Sequence, residues 1–145
     1  MTEGGRAAAR RERSVAQVRD ALRRLYRAFV AWYSLYDDDE DERRAREAEV
    51  ARLLAELSRI YPPRSVWLEA GTREAVEGFV STARELRRNL HAEIEARGYA
   101  AARAEMERRV GRELGPLKRE AFEALEAERP GAGRSRWRLL RLVGA

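Results

Sequence analysis

A chain of 145 residues suits one domain, large enough to bury a core without covalent staples, and the absence of cysteine excludes disulfides and thiolate metal sites. Thirty basic residues oppose twenty-five acidic ones, a net charge of +5, and no apolar run nears the roughly 18 residues of a membrane span. The first residues are basic but lack the apolar stretch of a secretory leader, so the expected compartment is the cytoplasm.

Alanine and glutamate are abundant and β-branched residues are few, which favours an all-α fold. Every basic residue except Lys118 is arginine, and the charges are segregated. Residues 1–27 hold eight arginines against Glu3, Glu12 and Asp20, and residues 129–145 hold five arginines and no acid. The stretch between them is acidic on balance, with seventeen basic and twenty-two acidic residues.

Residues 1–13 open with Gly4 and Gly5 and read as a flexible basic segment. Ser14 is a candidate N-cap for a first helix over 14–36. There Val15, Val18, Leu22, Leu25, Phe29, Trp32 and Tyr36 recur three and four residues apart, one stripe in heptad phase. The aromatic residues on that spacing read as core rather than as a stacking platform. Six consecutive acids, Asp37 to Glu42, follow. They suit a helix N-terminus and oppose a helix C-terminus, where the dipole is negative. A break there and a second helix over 39–61 are therefore expected. Val50, Leu53, Leu57 and Ile60 keep the heptad phase of Val15, as one uninterrupted helix would also do. The hairpin is favoured because it lets two stripes cover each other.

Pro62 and Pro63 are expected to end the second helix and to hold Tyr61 out of the α region. Val66, Trp67 and Leu68 should then tuck over one end of the bundle, or form a single turn opened by Ser65. Thr72 is a candidate N-cap for a third helix over 72–97, whose buried face is Val76, Phe79, Val80, Ala83, Leu86, Leu90 and Ile94. Gly98 is placed for a left-handed C-cap. A fourth helix, 99–129, carries Met106, Val110, Leu114, Leu117, Ala121 and Leu125 on one face. Gly115-Pro116 should kink or break it, since proline removes a backbone bond and clashes with the carbonyl four residues back. Residues 130–145 form a basic amphipathic tail. The expected architecture is thus a single antiparallel four-helix bundle over 14–129 with a basic segment at each end.

Chemistry-bearing patterns are sparse. The acidic run lacks the glycine and the ligand spacing of a calcium loop. His91, the one histidine, has Glu95 one turn on but no second histidine with which to form a di-metal site. No nucleophile elbow, phosphate loop or dinucleotide fingerprint occurs. The expectation is a protein that is not an enzyme, with no cofactor, metal or small-molecule substrate. The favoured reading is a helical scaffold or protein–protein interaction module, self-associating through the 15–36 stripe or binding another protein. The alternative is a peripheral adaptor whose arginine-rich ends meet an anionic surface, membrane or nucleic acid. Arg134, Arg136, Trp137, Arg138 and Arg141 are the candidate contact residues, because tryptophan and arginine are enriched where proteins meet partners.

Overall fold

The computed structural model describes residues 2–37 and 39–128. Their regular structure is helical throughout: α1 (Glu3–Tyr33), α2 (Glu40–Ser65), α3 (Ala70–Arg97), α4 (Tyr99–Arg109), a π-helical turn (Val110–Leu114) and α5 (Gly115–Ala127). The last three form one rod, so the chain folds as four antiparallel rods. Each rod packs on its neighbours in sequence, and α1 closes the ring against α4, the π turn and α5. Among the described residues the backbones of the diagonal pairs stay more than 8 Å apart, Cα to Cα, and only side chains fill the space between them. The α3 pairing with the fourth rod and the α1–α2 pair are the most extensive, and the α2–α3 seam is much thinner.

The stripe on α1 is the centre of the core. Val18, Leu22, Leu25, Phe29 and Trp32 are wholly buried. Facing them are Val50 and Leu57 of α2, Val76, Phe79 and Leu90 of α3, and Met106, Val110, Leu114 and Leu125 of the fourth rod. Val80 and Leu117 are only partly covered.

Several boundaries differ from those read in the sequence. The first helix begins at Glu3, not at Ser14, so residues 3–13 continue it instead of forming a flexible segment. The Thr2 hydroxyl caps it by accepting from the Gly5 amide at 3.2 Å. Ala7 to Ala9 and the arginines around them are strong helix formers and outweigh the two glycines. Ser14 is buried inside the helix. The helix stops at Tyr33, three residues short of Tyr36, which stands 87% exposed instead of closing the stripe. Its ring lies under the Arg103 guanidinium, 4.7 Å from the centroid.

The fold-back falls where the acids are. The Asp39 carboxylate accepts from the amides of Asp41 and Glu42 at 3.1 and 3.2 Å and starts α2, so the run is a turn and a helix start. At the far end of α2, Pro62 and Pro63 lie inside the helix, which continues to Ser65 with Tyr61 helical. Two prolines in a row hold φ near the helical value. Their missing donors fall in the last turns, where Arg64 Nη1 donates to the Ile60 carbonyl and Ser65 Oγ to that of Pro62, each at 2.8 Å. The turn after Ser65 buries Leu68 alone of the three apolar residues there, leaving Val66 72% exposed and Trp67 half-buried.

Thr72 does not cap α3. That helix starts at Ala70 behind Glu69, and the buried Thr72 hydroxyl faces the Ala124 carbonyl at 3.4 Å. Gly98 alone joins α3 to α4. Its φ of +83° is positive as expected, but its ψ of 154° is extended, so the chain reverses at one residue. The α-helix is interrupted at Gly115-Pro116, as expected: α4 gives way to the π-helical turn, and α5 starts at Gly115 with Pro116 in its first turn. The helix widens just ahead of it, and the Gly115 amide donates to the carbonyl of Val110, five residues back. The wider turn accommodates a residue whose nitrogen cannot donate.

Candidate interaction surface

The two faces of α1 have opposite fates. Its apolar stripe from Val15 to Trp32 is buried by the chain's own helices, so the folded single chain offers no such stripe for self-association. Its outer face is basic. Arg6, Arg10, Arg13, Arg23 and Arg27 are exposed, and among the described residues none of them has a hydrogen-bond or ion-pair partner. At 3.6 residues per turn, Arg13, Arg23 and Arg27 fall within roughly 80° of one another, opposite the core. Arg6 and Arg10 lie on the first turns, ahead of Ser14, where burial begins.

Acids border this face on both sides. Toward α2, Arg24 bridges Asp20 and Glu56, each at 3.0 Å, and Arg52 then links Glu56 to Glu49 at 3.3 and 2.6 Å. The Arg52 hydrogen bond holds the Glu49 carboxyl below its ordinary range. Toward α5, Arg19 pairs with Glu126 at 3.0 Å. The free arginines thus form a ridge one helix wide.

At the end of the bundle where α1 begins, Glu128 ties three elements together. Its side chain is 2% exposed and takes Arg11 Nη2 at 2.8 Å and Nε at 3.1 Å on one oxygen. The other oxygen accepts from the Glu69 amide at the head of α3, at 2.7 Å. The carboxylate hydrogen bond raises the pKa of Arg11 further. Glu128 is the last described residue, so the chain continues into its basic tail from a point beside Arg11. The sequence-derived contact residues Arg134, Arg136, Trp137, Arg138 and Arg141 lie outside the described residues.

The opposite end carries the acids. The carbonyls at and just beyond the end of α1 are satisfied from afar. Arg46 of α2 donates to Ala31 at 2.6 Å, the Tyr99 hydroxyl to Trp32 at 2.5 Å, and Arg103 to Leu35 at 2.8 Å. Asp39 is engaged as a cap, and among the described residues no three histidine or carboxylate groups converge as a metal cage. His91 approaches Glu95 at 3.9 Å, and its Nδ1 lies 2.5 Å from Glu47, bridging α3 to α2.

A cleft of about 440 Å³ opens along the thin α2–α3 seam. Its lining includes the apolar Leu57 and Val80 and two pairs that cross the seam, Tyr61 with Glu77 and Ser58 with Arg84. Burial, and then its hydrogen bond to Glu77 at 3.1 Å, raise the pKa of the Tyr61 phenol. The Ser58 and Ser65 hydroxyls donate to helix carbonyls at 3.1 and 2.8 Å, and Arg84 donates to Ser58. With their protons held by backbone oxygens, these serines are not poised as nucleophiles.

Comparison with protein-family models, with curated proteins and with solved structures finds no match to this chain. Among the described residues no helix is long and apolar enough to cross a membrane.

The basic ridge was only half visible in the sequence. The excess of arginine before residue 28 is plain there, but with residues 1–13 read as flexible it had no shape. The overlooked signal was Thr2, a cap residue followed by an alanine- and arginine-rich stretch that carries helix straight into the heptad stripe.

Proposed function

We propose that this chain is a non-catalytic helical interaction module that works as a peripheral adaptor, docking on an anionic surface through the outer face of α1. One observation carries the reading: Arg6, Arg10, Arg13, Arg23 and Arg27 are exposed and unpaired among the described residues, on a rigid helix. Arginines with no structural partner are free to meet phosphate, sulfate or carboxylate groups, and a helix fixed in a bundle presents them already ordered. The apolar stripe does not compete for this role, since it holds the bundle together. The acids Asp37 and Asp39 to Glu42 lie at the other end and keep that end away from a polyanion. The test is retention on a heparin-coated matrix in about 50 mM salt, with release as salt rises. Flow-through of the intact protein at that salt would overturn the reading.

A further inference from the structure

We infer that the anionic partner is the phosphate backbone of a nucleic-acid duplex, bound along the α1 ridge without regard to sequence. This rests on the adaptor reading and narrows it. Arg6 to Arg27 span 21 residues of unbroken helix, about 32 Å, the length of about nine base pairs. A guanidinium offers a planar fork of donors that fits phosphate oxygens.

The width of the ridge separates this partner from a lipid surface. A membrane is a plane, and a bundle lying on it through α1 would also bring down the acids beside α1, Glu56 on one flank and Glu126 on the other, whereas Asp20 on the outward face is already paired with Arg24. A duplex backbone is a narrow, curved rail that can follow one helix and leave those flanks in water. The ridge also has no apolar side chain to sink into lipid. The large exposed apolar residues among those described are Tyr36 and Val66, and both lie outside α1. The arginine forks also fit guanine, but the outward face carries no asparagine or free glutamine to read adenine. Between the arginines it shows Ala16 and Asp20, and Gln17 is held by Arg64 at 2.6 Å. Contacts to phosphate alone position a protein but carry no sequence information.

Five arginines each neutralising one phosphate give a slope of log K against log salt of about −4.5, a loss of about 500-fold between 50 and 200 mM. The experiment is fluorescence anisotropy of a labelled mixed-sequence duplex with the full chain across that salt range. A triple variant, Arg13→Gln/Arg23→Gln/Arg27→Gln, should flatten the slope by about 2.7, and each single substitution by about 0.9. Circular dichroism on the same samples checks folding, and the single variants, all at exposed sites, serve if the triple does not fold. Replacing Arg134, Arg136, Arg138 and Arg141 by Gln in the full chain should leave the ridge's share of the slope intact. A triple variant with unchanged slope overturns the inference, as does complete loss of duplex binding in the tail variant. Vesicles of phosphatidylserine and phosphatidylcholine form the second arm. Capture by vesicles without duplex binding overturns the inference but leaves the adaptor reading standing, and binding to neither overturns both.

Discussion

Replacing Glu128 by Ala should lower stability by about 2–3 kcal/mol. The carboxylate makes two contacts to one guanidinium and one to the amide that opens α3, and its side chain is 2% exposed. Hydrogen bonds to a charged group contribute about 1.5–3 kcal/mol each where both partners are buried. Arg11 is 39% exposed, so its released guanidinium can turn to water, and the loss on that side is discounted accordingly. The Glu69 amide loses its acceptor at the head of a helix, where donors already lack intrahelical partners. Arg11→Ala is the instructive partner, because it leaves the nearly buried carboxylate with a single amide. Its cost should equal or exceed that of Glu128→Ala even though it removes the more exposed residue. For a chain of this length, 1 kcal/mol moves the melting temperature by about 3 °C, so each variant should melt about 6–9 °C below the parent. The double variant should fall short of the sum by at least 1 kcal/mol, the signature of a direct pair. Thermal melts by circular dichroism and urea titration give these numbers. A Glu128→Ala protein melting within 2 °C of the parent, with additive singles, would refute the clasp.

Other perturbations separate local from long-range causes. Gly78 lies inside α3 with open space where a Cβ would go, so Gly78→Ala should stabilise by about 1 kcal/mol. Gly98→Ala should cost about 1–3 kcal/mol, because positive φ with extended ψ belongs essentially to glycine. Opposite signs in urea titrations check the pair, and equal effects would show that Gly98 is not strained. Tyr99→Phe should cost about 2 kcal/mol, since the buried hydroxyl donates to the Trp32 carbonyl and accepts from the Leu35 amide, and its loss orphans both. A melt unchanged from the parent would show that the end of α1 does not depend on it. Burial raises the phenol pKa of Tyr33, Tyr61 and Tyr99 above the ordinary value of 10.0. A raised pKa means the folded state holds its proton where the unfolded chain releases it. That stability is complete below about pH 10 and is lost as pH climbs through the folded values, while the arginines stay charged. Melting temperature should therefore fall between about pH 9.5 and 11.5, less steeply in Tyr61→Phe. A flat profile over that window would contradict the burial of these phenols.

Features governed by neighbours in sequence were legible before the structure. The acidic run marks the fold-back because six carboxylates oppose one end of a helix and suit the other, and Asp39 caps α2 as that argument requires. The stripes of α1, α3 and the fourth rod follow from spacing alone. What escaped depends on partners distant in the chain. Pro62 and Pro63 look like a stop, yet α2 continues because Tyr61 docks on Glu77 and Arg64 reaches back to Ile60. Thr72 looks like a cap, yet the head of α3 takes its carboxylate from Glu128, 59 residues on. The early end of α1 is set by Arg46, Tyr99 and Arg103, none of them nearby in sequence. The widened turn before Pro116 answers a constraint visible in the sequence in a way that propensity does not specify. For the candidate surface, the residue type was readable and the geometry was not. Which arginines are free depends on those that Glu126, Glu128 and Glu56 have already claimed.

The single-residue joint at Gly98 has a consequence for how the molecule comes together. With almost no loop to close, α3 and the fourth rod can zip from Gly98 outward, each contact shortening the search for the next. The Arg11–Glu128 contact sits at the opposite extreme, 117 residues apart in the chain, and requires the whole ring to be in place. It is expected to be among the last contacts made in folding. Loosening it should then hasten unfolding while leaving the folding rate nearly unchanged, whereas stiffening or straining Gly98 should act on folding itself.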